Sequence, residues 1–260
     1  MKMRFAWLLA SVLVAFSCGK EPAPELPPPV APPSVVDDNN THTGPLAVFI
    51  GDSITWQWAR ASRTDTRDKL VIPLDPLPSF MKQSGDSYTT YFHPQFFTSN
   101  RYSNKGISAE NTTQMLARYK TDVLDQDPHS VVIMGGTNDL AQGVQKAQIL
   151  SNIKQMAEQA EAKGIKVILC SVTPCNDTYS RLSNPNTKGA HIITLNGMIK
   201  GYAQEKGYTY CDYHPTLAAP DGLALRDEYC LYDRLHPNPD AYTEMEKIIK
   251  PIIEKVLESE

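Results

Sequence analysis

Strand-like runs that alternate with helix-period segments leave this chain few folds to choose from. The runs are Leu46–Ile50, Arg101–Lys105, Ser130–Met134, Lys166–Val172 and Tyr208–Tyr213. Met115, Leu116, Tyr119 and Val123 recur at helical spacing after the second run. Ile149, Ile153, Met156 and Ala160 do so after the third, and Ile192, Leu195, Ile199 and Tyr202 after the fourth. Gly164 and Gly207 follow the second and third of these helices, where a glycine ends a helix without steric penalty. A last helix starts after Asn238, a capping residue, with Pro239 in its first turn and Asp240 against the dipole. Tyr242, Met245, Ile248, Ile249, Ile252, Ile253 and Val256 form its apolar stripe, and Pro251 is expected to kink or split it. Such alternation requires a parallel sheet covered on both faces, a three-layer α/β/α sandwich.

The first 44 residues follow a different pattern. Met1-Lys-Met-Arg4 is a basic start, and Phe5 to Phe16 is an apolar stretch too short to span a bilayer comfortably. It ends at Ser17-Cys18-Gly19. This resembles a bacterial lipoprotein signal over residues 1–18, with Cys18 lipidated after cleavage; the alternative is an ordinary secretory signal. Either route exports the chain, and the lipid would anchor it to a membrane in the periplasm or on the outer surface of a bacterium. Residues 19–44 are proline-rich and lack an apolar period, as expected of an extended tether. The folded domain is expected over residues 45–260. Its net charge enters a chain total of −4, which gives no electrostatic footprint for nucleic acid.

Four cysteines remain in the domain: Cys170, Cys175, Cys211 and Cys230. There is no Cys-x-x-Cys, so the spacing does not suggest zinc. Cys170 and Cys211 fall in strand-like runs as buried thiols, while Cys175 and Cys230 fall in loops and are the expected disulfide pair for an exported protein. An insertion at about 60–100 interrupts the alternation. It carries Pro73, Pro76, Pro78, Phe80, Tyr88, Tyr91, Phe92, Phe96 and Phe97, and reads equally as a packed aromatic flap or a wall of a substrate pocket.

Chemistry concentrates where the runs end. The first stops at Gly51-Asp52-Ser53, which puts a serine past the C-terminal end of a parallel strand, where open α/β sheets hold their active sites. A hydrolytic serine needs a base, an orienter for that base, and donors for an oxyanion. Asp233-Arg-Leu-His236 supplies carboxylate and imidazole three residues apart, with Pro237 holding His236 out of a helix. His214 with Asp212 is the runner-up. The second run enters Gly106, which lets backbone approach a ligand and offers its N–H. The third runs into Gly135-Gly-Thr-Asn138-Asp139, which brings a side-chain amide to the same edge.

Gly51-Asp-Ser-Ile54, Asn104-Lys-Gly-Ile-Ser108, Gly136-Thr-Asn-Asp139 and Asp233-Arg-Leu-His236 are similar, in this order, to the four sequence blocks of the SGNH or GDSL hydrolases. Ile54 stands where that family has a leucine, a swap of equal size. The resemblance implies a flavodoxin-like sandwich with a five-stranded parallel sheet in the order 2-1-3-4-5. It implies Ser53 as nucleophile and His236 as base and then acid, oriented by Asp233. Ser53 N–H, Gly106 N–H and the Asn138 amide would form the oxyanion hole, with no metal and no organic cofactor. The expected reaction is ester hydrolysis on a small-molecule or polysaccharide substrate, with O-acetyl or short acyl groups on carbohydrate in front. A lipid acylhydrolase or lysophospholipase is the nearest alternative, and a catalytically idle glycan-binding lipoprotein is the alternative of another class. Trp56, Trp58 and the insertion aromatics read as a sugar platform in either case or, as is commoner for aromatics beside a strand, as core.

Overall fold

β1 (Ala47–Gly51) is buried at every position, as a continuous apolar run covered on both faces must be. The computed structural model describes residues 42–59, 94–97, 101–176, 189–231 and 233–258. The expected signal with Cys18, and most of the expected tether and insertion, lie outside the described residues. Residues 40–260 form one compact unit.

In chain order β1 is followed by α1 (Ser53–Trp58), α2 (Pro94–Phe97), β2 (Tyr102–Gly106), α3 (Thr112–Asp122), β3 (Ser130–Met134), α4 (Thr137–Ala141) and α5 (Lys146–Glu161). Then come β4 (Lys166–Cys170), α6 (Gly189–Lys206), β5 (Thr209–Cys211), α7 (His214–Leu217) and α8 (Pro239–Glu258). The five strands form one parallel sheet in the order β2-β1-β3-β4-β5, the order the resemblance implies. β4 and β5 end at Cys170 and Cys211, earlier than their apolar runs, because the chain there turns to loops that carry buried polar groups.

Alternation within the strands divides the core in two. Val48, Ile50, Val131, Ile133, Val167 and Leu169 face α3, α5 and α6. Ala47, Phe49, Val132, Met134, Ile168 and Cys170 face α1 and α8. Asn238 Oδ1 accepts from Ala241 N at 3.0 Å and caps α8, and Gly164 and Gly207 take φ of 76° and 72° after α5 and α6.

Three expectations are corrected. α8 is not split at Pro251: Pro251 and Lys247 are both exposed, so the carbonyl that loses its helical donor faces solvent. The Cys175–Cys230 disulfide is not formed. Cys230 carries a thiol that donates to Asp227 O at 3.3 Å beside the α8-side cluster, whereas Cys175 is buried in the cluster on the other face. Trp58 is no sugar platform: it is 1% exposed, with Nε1 donating to Glu246 at 3.0 Å. Phe96 and Phe97 pack edge-on or stacked against Phe49, Trp58 and Tyr102, so this end of the insertion is a packed flap.

Candidate active site

Register brings the site together. Gly51 pairs with Gly106 on β2 and with Met134 on β3, so three chain segments leave the sheet at one level. From β1 the chain passes Asp52 into α1. Asp52 is the cap: its Oδ1 accepts from Ile54 N at 2.9 Å, and Ser53 becomes the first helical residue. The helix lies hard against β2. A methyl added at Gly106 would run into the main-chain nitrogen of Trp56 and lie 2.7 Å from the Thr55 carbonyl carbon. Asn104 Nδ2 donates to Thr55 O at 2.6 Å, and buried Tyr242 of α8 donates to Ile54 O at 2.7 Å. The Ser53 helix is therefore held by its neighbours on both sides.

From β3 the chain turns through Gly136, whose φ of 134° suits glycine alone, into α4. Asp139 faces inward at 0% exposure and accepts from Thr112 N and Oγ1, which ties α4 to the start of α3. Asn138 stands beside it, with Nδ2 donating to Glu110 O at 2.8 Å.

The third segment is the turn before α8. Asp233 Oδ1 accepts from Leu235 N and His236 N, both at 3.0 Å, and Arg234, between Asp233 and Leu235, adopts φ of 54°. Leu231 N donates to His236 O at 2.8 Å, and an ion pair joins Arg234 to Asp227. This leaves Asp233 Oδ2 2.5 Å from His236 Nδ1, while His236 Nε2 lies 2.8 Å from Ser53 Oγ. Hydroxyl, imidazole and carboxylate form one chain at the C-terminal edge of the sheet.

The two aspartates are set oppositely. Burial works to raise the Asp233 carboxyl, but the His236 hydrogen bond and charge, with the two N–H donors, hold it below the ordinary value. Burial lifts Asp52 to about 6, against the opposing pull of the Ile54 N–H and of His236.

Ser53, His236 and Asp233 are joined by direct hydrogen-bond contacts, and Asn138 leaves β3 at the same sheet edge with its amide on Glu110 O. Gly106 ends β2 at that edge, and its N–H donates to Asn104 Oδ1 at 2.9 Å. His214, the runner-up base, stays apart: it opens α7, and its Nε2 is buried without a hydrogen-bond partner among the described residues. Glu110, Arg118 and the bridging role of Asn104 were not found by sequence reasoning. Asn104 falls inside a recognised block, but nothing in the sequence says that its side chain spans two chain segments.

Fold and site together define the class: a parallel α/β sandwich with a serine–histidine–aspartate chain at the C-terminal edge of its sheet. The GDSL-like lipase/acylhydrolase family model matches residues 49–243, and the chain belongs to that family. It is similar to esterase TesA of Pseudomonas aeruginosa, 30% identical over 131 residues, which are 47% of this chain and 65% of the relative. It is also 39% identical over 77 residues to the uncharacterized lipoprotein YqeF of Bacillus subtilis, 27% of this chain and 32% of that one. The matched parts are thus less than two thirds of either curated relative. Among solved structures, a GDSL-like lipase from Bacteroides thetaiotaomicron superposes with a TM-score of 0.63 at 31% identity, over 80% of this chain and 87% of that one.

Proposed function

We propose that this protein hydrolyses carboxylic esters through an acyl-enzyme on Ser53. The observation that carries the reading is the unbroken chain from Ser53 Oγ through His236 to Asp233, at 2.8 Å and 2.5 Å. His236 Nε2 takes the Ser53 proton as Oγ attacks the ester carbonyl. Asp233, held ionised, keeps Nδ1 protonated and stabilises the imidazolium. The oxyanion is received by Ser53 N–H, by the Asn138 amide and by Gly106 N–H, which it would share with Asn104 Oδ1. Collapse expels the alcohol, which takes the proton from His236. Water, deprotonated by the same nitrogen, then releases the acid.

The substrate reading is O-acetyl or short acyl esters on carbohydrate, supported by the export signal and tether of the sequence. The lipid acylhydrolase reading keeps one observation in its favour. Ile107, directly after Gly106, is 42% exposed, an apolar side chain at the rim of the site. Residues 1–18 are proposed as a lipoprotein signal and 19–44 as a tether, with Cys18 carrying the lipid; similarity to a protein named as a lipoprotein supports this. Among the described residues no helix is long and apolar enough to cross a membrane.

A p-nitrophenyl ester series from acetate to palmitate, with Ser53→Ala beside it, tests the reading. Activity confined to short acyl groups and lost in Ser53→Ala is expected. Activity rising with chain length moves the assignment to lipid esters. Turnover undiminished in Ser53→Ala, or none on any ester, overturns the esterase assignment.

A further inference from the structure

The carbonyl of Gly51, the last residue of β1 before the nucleophile turn, accepts two hydrogen bonds outside the sheet. Ile107 N donates at 3.1 Å and Arg118 Nη2, reaching over from α3, at 3.2 Å. The guanidinium is itself fixed. Its Nε donates to Glu110 Oε2 and its Nη1 to Asp122 Oδ2, each at 2.6 Å. Arg118 and Glu110 side chains are only 15% and 14% exposed. Withdrawing such a cluster from water is a weak way to gain stability, so its geometry needs another explanation. Glu110 supplies one. Its carboxylate holds Arg118, and its main-chain carbonyl accepts from Asn138 Nδ2 at 2.8 Å.

We propose that Arg118 and Glu110 are positioning residues that lock the Asn138 amide and the Gly51–Asp52–Ser53 turn into one frame. This rests on the esterase reading above. An amide nitrogen has two hydrogens. Spending one on Glu110 O fixes the amide plane and thereby aims the other. The Gly51–Asp52 peptide is planar, so holding Gly51 O sets the orientation of Asp52 N–H and the entry of the chain into α1. Glu110 connects the two through a single residue, and Ala109 beside it, at φ of 66°, takes a left-handed turn to put it there. Arg118 suits the task because its planar fork meets three acceptors in fixed directions, which a lysine ammonium does not reproduce.

The test is steady-state kinetics on p-nitrophenyl acetate for Arg118→Ala, Arg118→Lys, Glu110→Gln and Ser53→Ala, with circular dichroism on each. Arg118→Ala is expected to lower kcat about 10- to 100-fold, the scale of an ångström misplacement, with KM within about twofold. Glu110→Gln keeps the carbonyl to Asn138 and is expected to lose less, as is Arg118→Lys. The Arg118→Ala loss is expected to shrink in an Asn138→Ala background, because the frame then has no amide to aim. A kcat within about twofold of wild type in natively folded Arg118→Ala and Glu110→Gln overturns the inference. So does an Arg118→Ala loss undiminished in the Asn138→Ala background, or a change in KM alone. If Arg118→Ala does not fold, Glu110→Gln and Arg118→Lys decide. Ser53→Ala with wild-type turnover overturns the esterase reading and this inference with it. An inactive Ser53→Ala with unimpaired positioning variants overturns the inference alone.

Discussion

Asp52 holds the start of the Ser53 helix at a cost to stability. Its carboxylate is 3% exposed, caps α1 and adds negative potential near His236. Its folded pKa is about 6 against an ordinary 3.8, so between those values the native state holds more protons than the unfolded chain. Stability from this group therefore falls as pH rises from about 4 to 6, and the penalty persists above 6. Asparagine keeps the capping oxygen and loses the charge. Asp52→Asn is expected to raise stability at pH 7.5, by on the order of 2–3 kcal/mol at most, and to flatten the pH dependence of unfolding between 4 and 6. The same variant should turn over more slowly, since the His236 imidazolium loses a nearby negative charge. Urea unfolding at several pH values and an ester assay check both halves. Gly-Asp-Ser is legible in the sequence, but the burial of Asp52 and its nearness to His236 and Asp139 arise only in the fold.

Among the elements, Gly106 of β2 and the two glycines of α6 make opposite predictions. Gly106 is where β2 touches α1, and any Cβ there meets backbone that cannot move without displacing Ser53. Gly106→Ala should lose most ester turnover, together with roughly 1–3 kcal/mol of stability from forced backbone shifts. Gly197 and Gly201 sit on the exposed side of α6, where an added Cβ meets nothing within 4 Å. Their replacement by alanine removes backbone freedom from the unfolded chain and adds helix propensity. Each is expected to stabilise by about 0.5–1 kcal/mol without altering turnover, read by urea unfolding and the same assay. The sequence puts Gly106 after a strand and Gly197 and Gly201 within a helix, but does not say which of them has room for a Cβ. Only the neighbours that the fold brings up to each one separate them.

At the scale of the whole molecule, the start of the domain matters. His42 Nδ1 and the Thr43 N–H and hydroxyl all engage Asp127, at 2.8–2.9 Å, at the N-terminal edge of the sheet opposite the candidate site. The His42 hydrogen bond, followed by those of Thr43, holds the Asp127 carboxyl down at about 2. A protein beginning at residue 45 is expected to melt below one beginning at residue 41. Because the Asp127 pKa is lowered, its part of the difference is present above pH 3.8 and is lost as pH falls toward 2, leaving the part due to Gly44 N–H on Asp127 O. It also narrows with salt, because Asp127 is partly open to solvent. Thermal melts of the two proteins over pH and salt check this. Ester turnover should be equal in both, since the latch and the Ser53 edge lie at opposite ends of the strands.

The layers and the strand count were legible in the chain, because apolar period is a local property, although β4 and β5 end before their apolar runs do. It also placed Ser53, Asn138, Asp233 and His236, since each sits in a short motif at a strand end or before a capped helix. The strand order was legible through family resemblance, not through periodicity. Contacts between segments distant in the chain had to wait for the fold. These include Arg118 on Gly51 O, Glu110 on Asn138, Asn104 on Thr55 O, and Cys230 lying away from Cys175. The physical reason is common to all of them. A side chain's type limits what it can bond to, but which partner stands within about 3 Å depends on register and packing that no short stretch of chain contains.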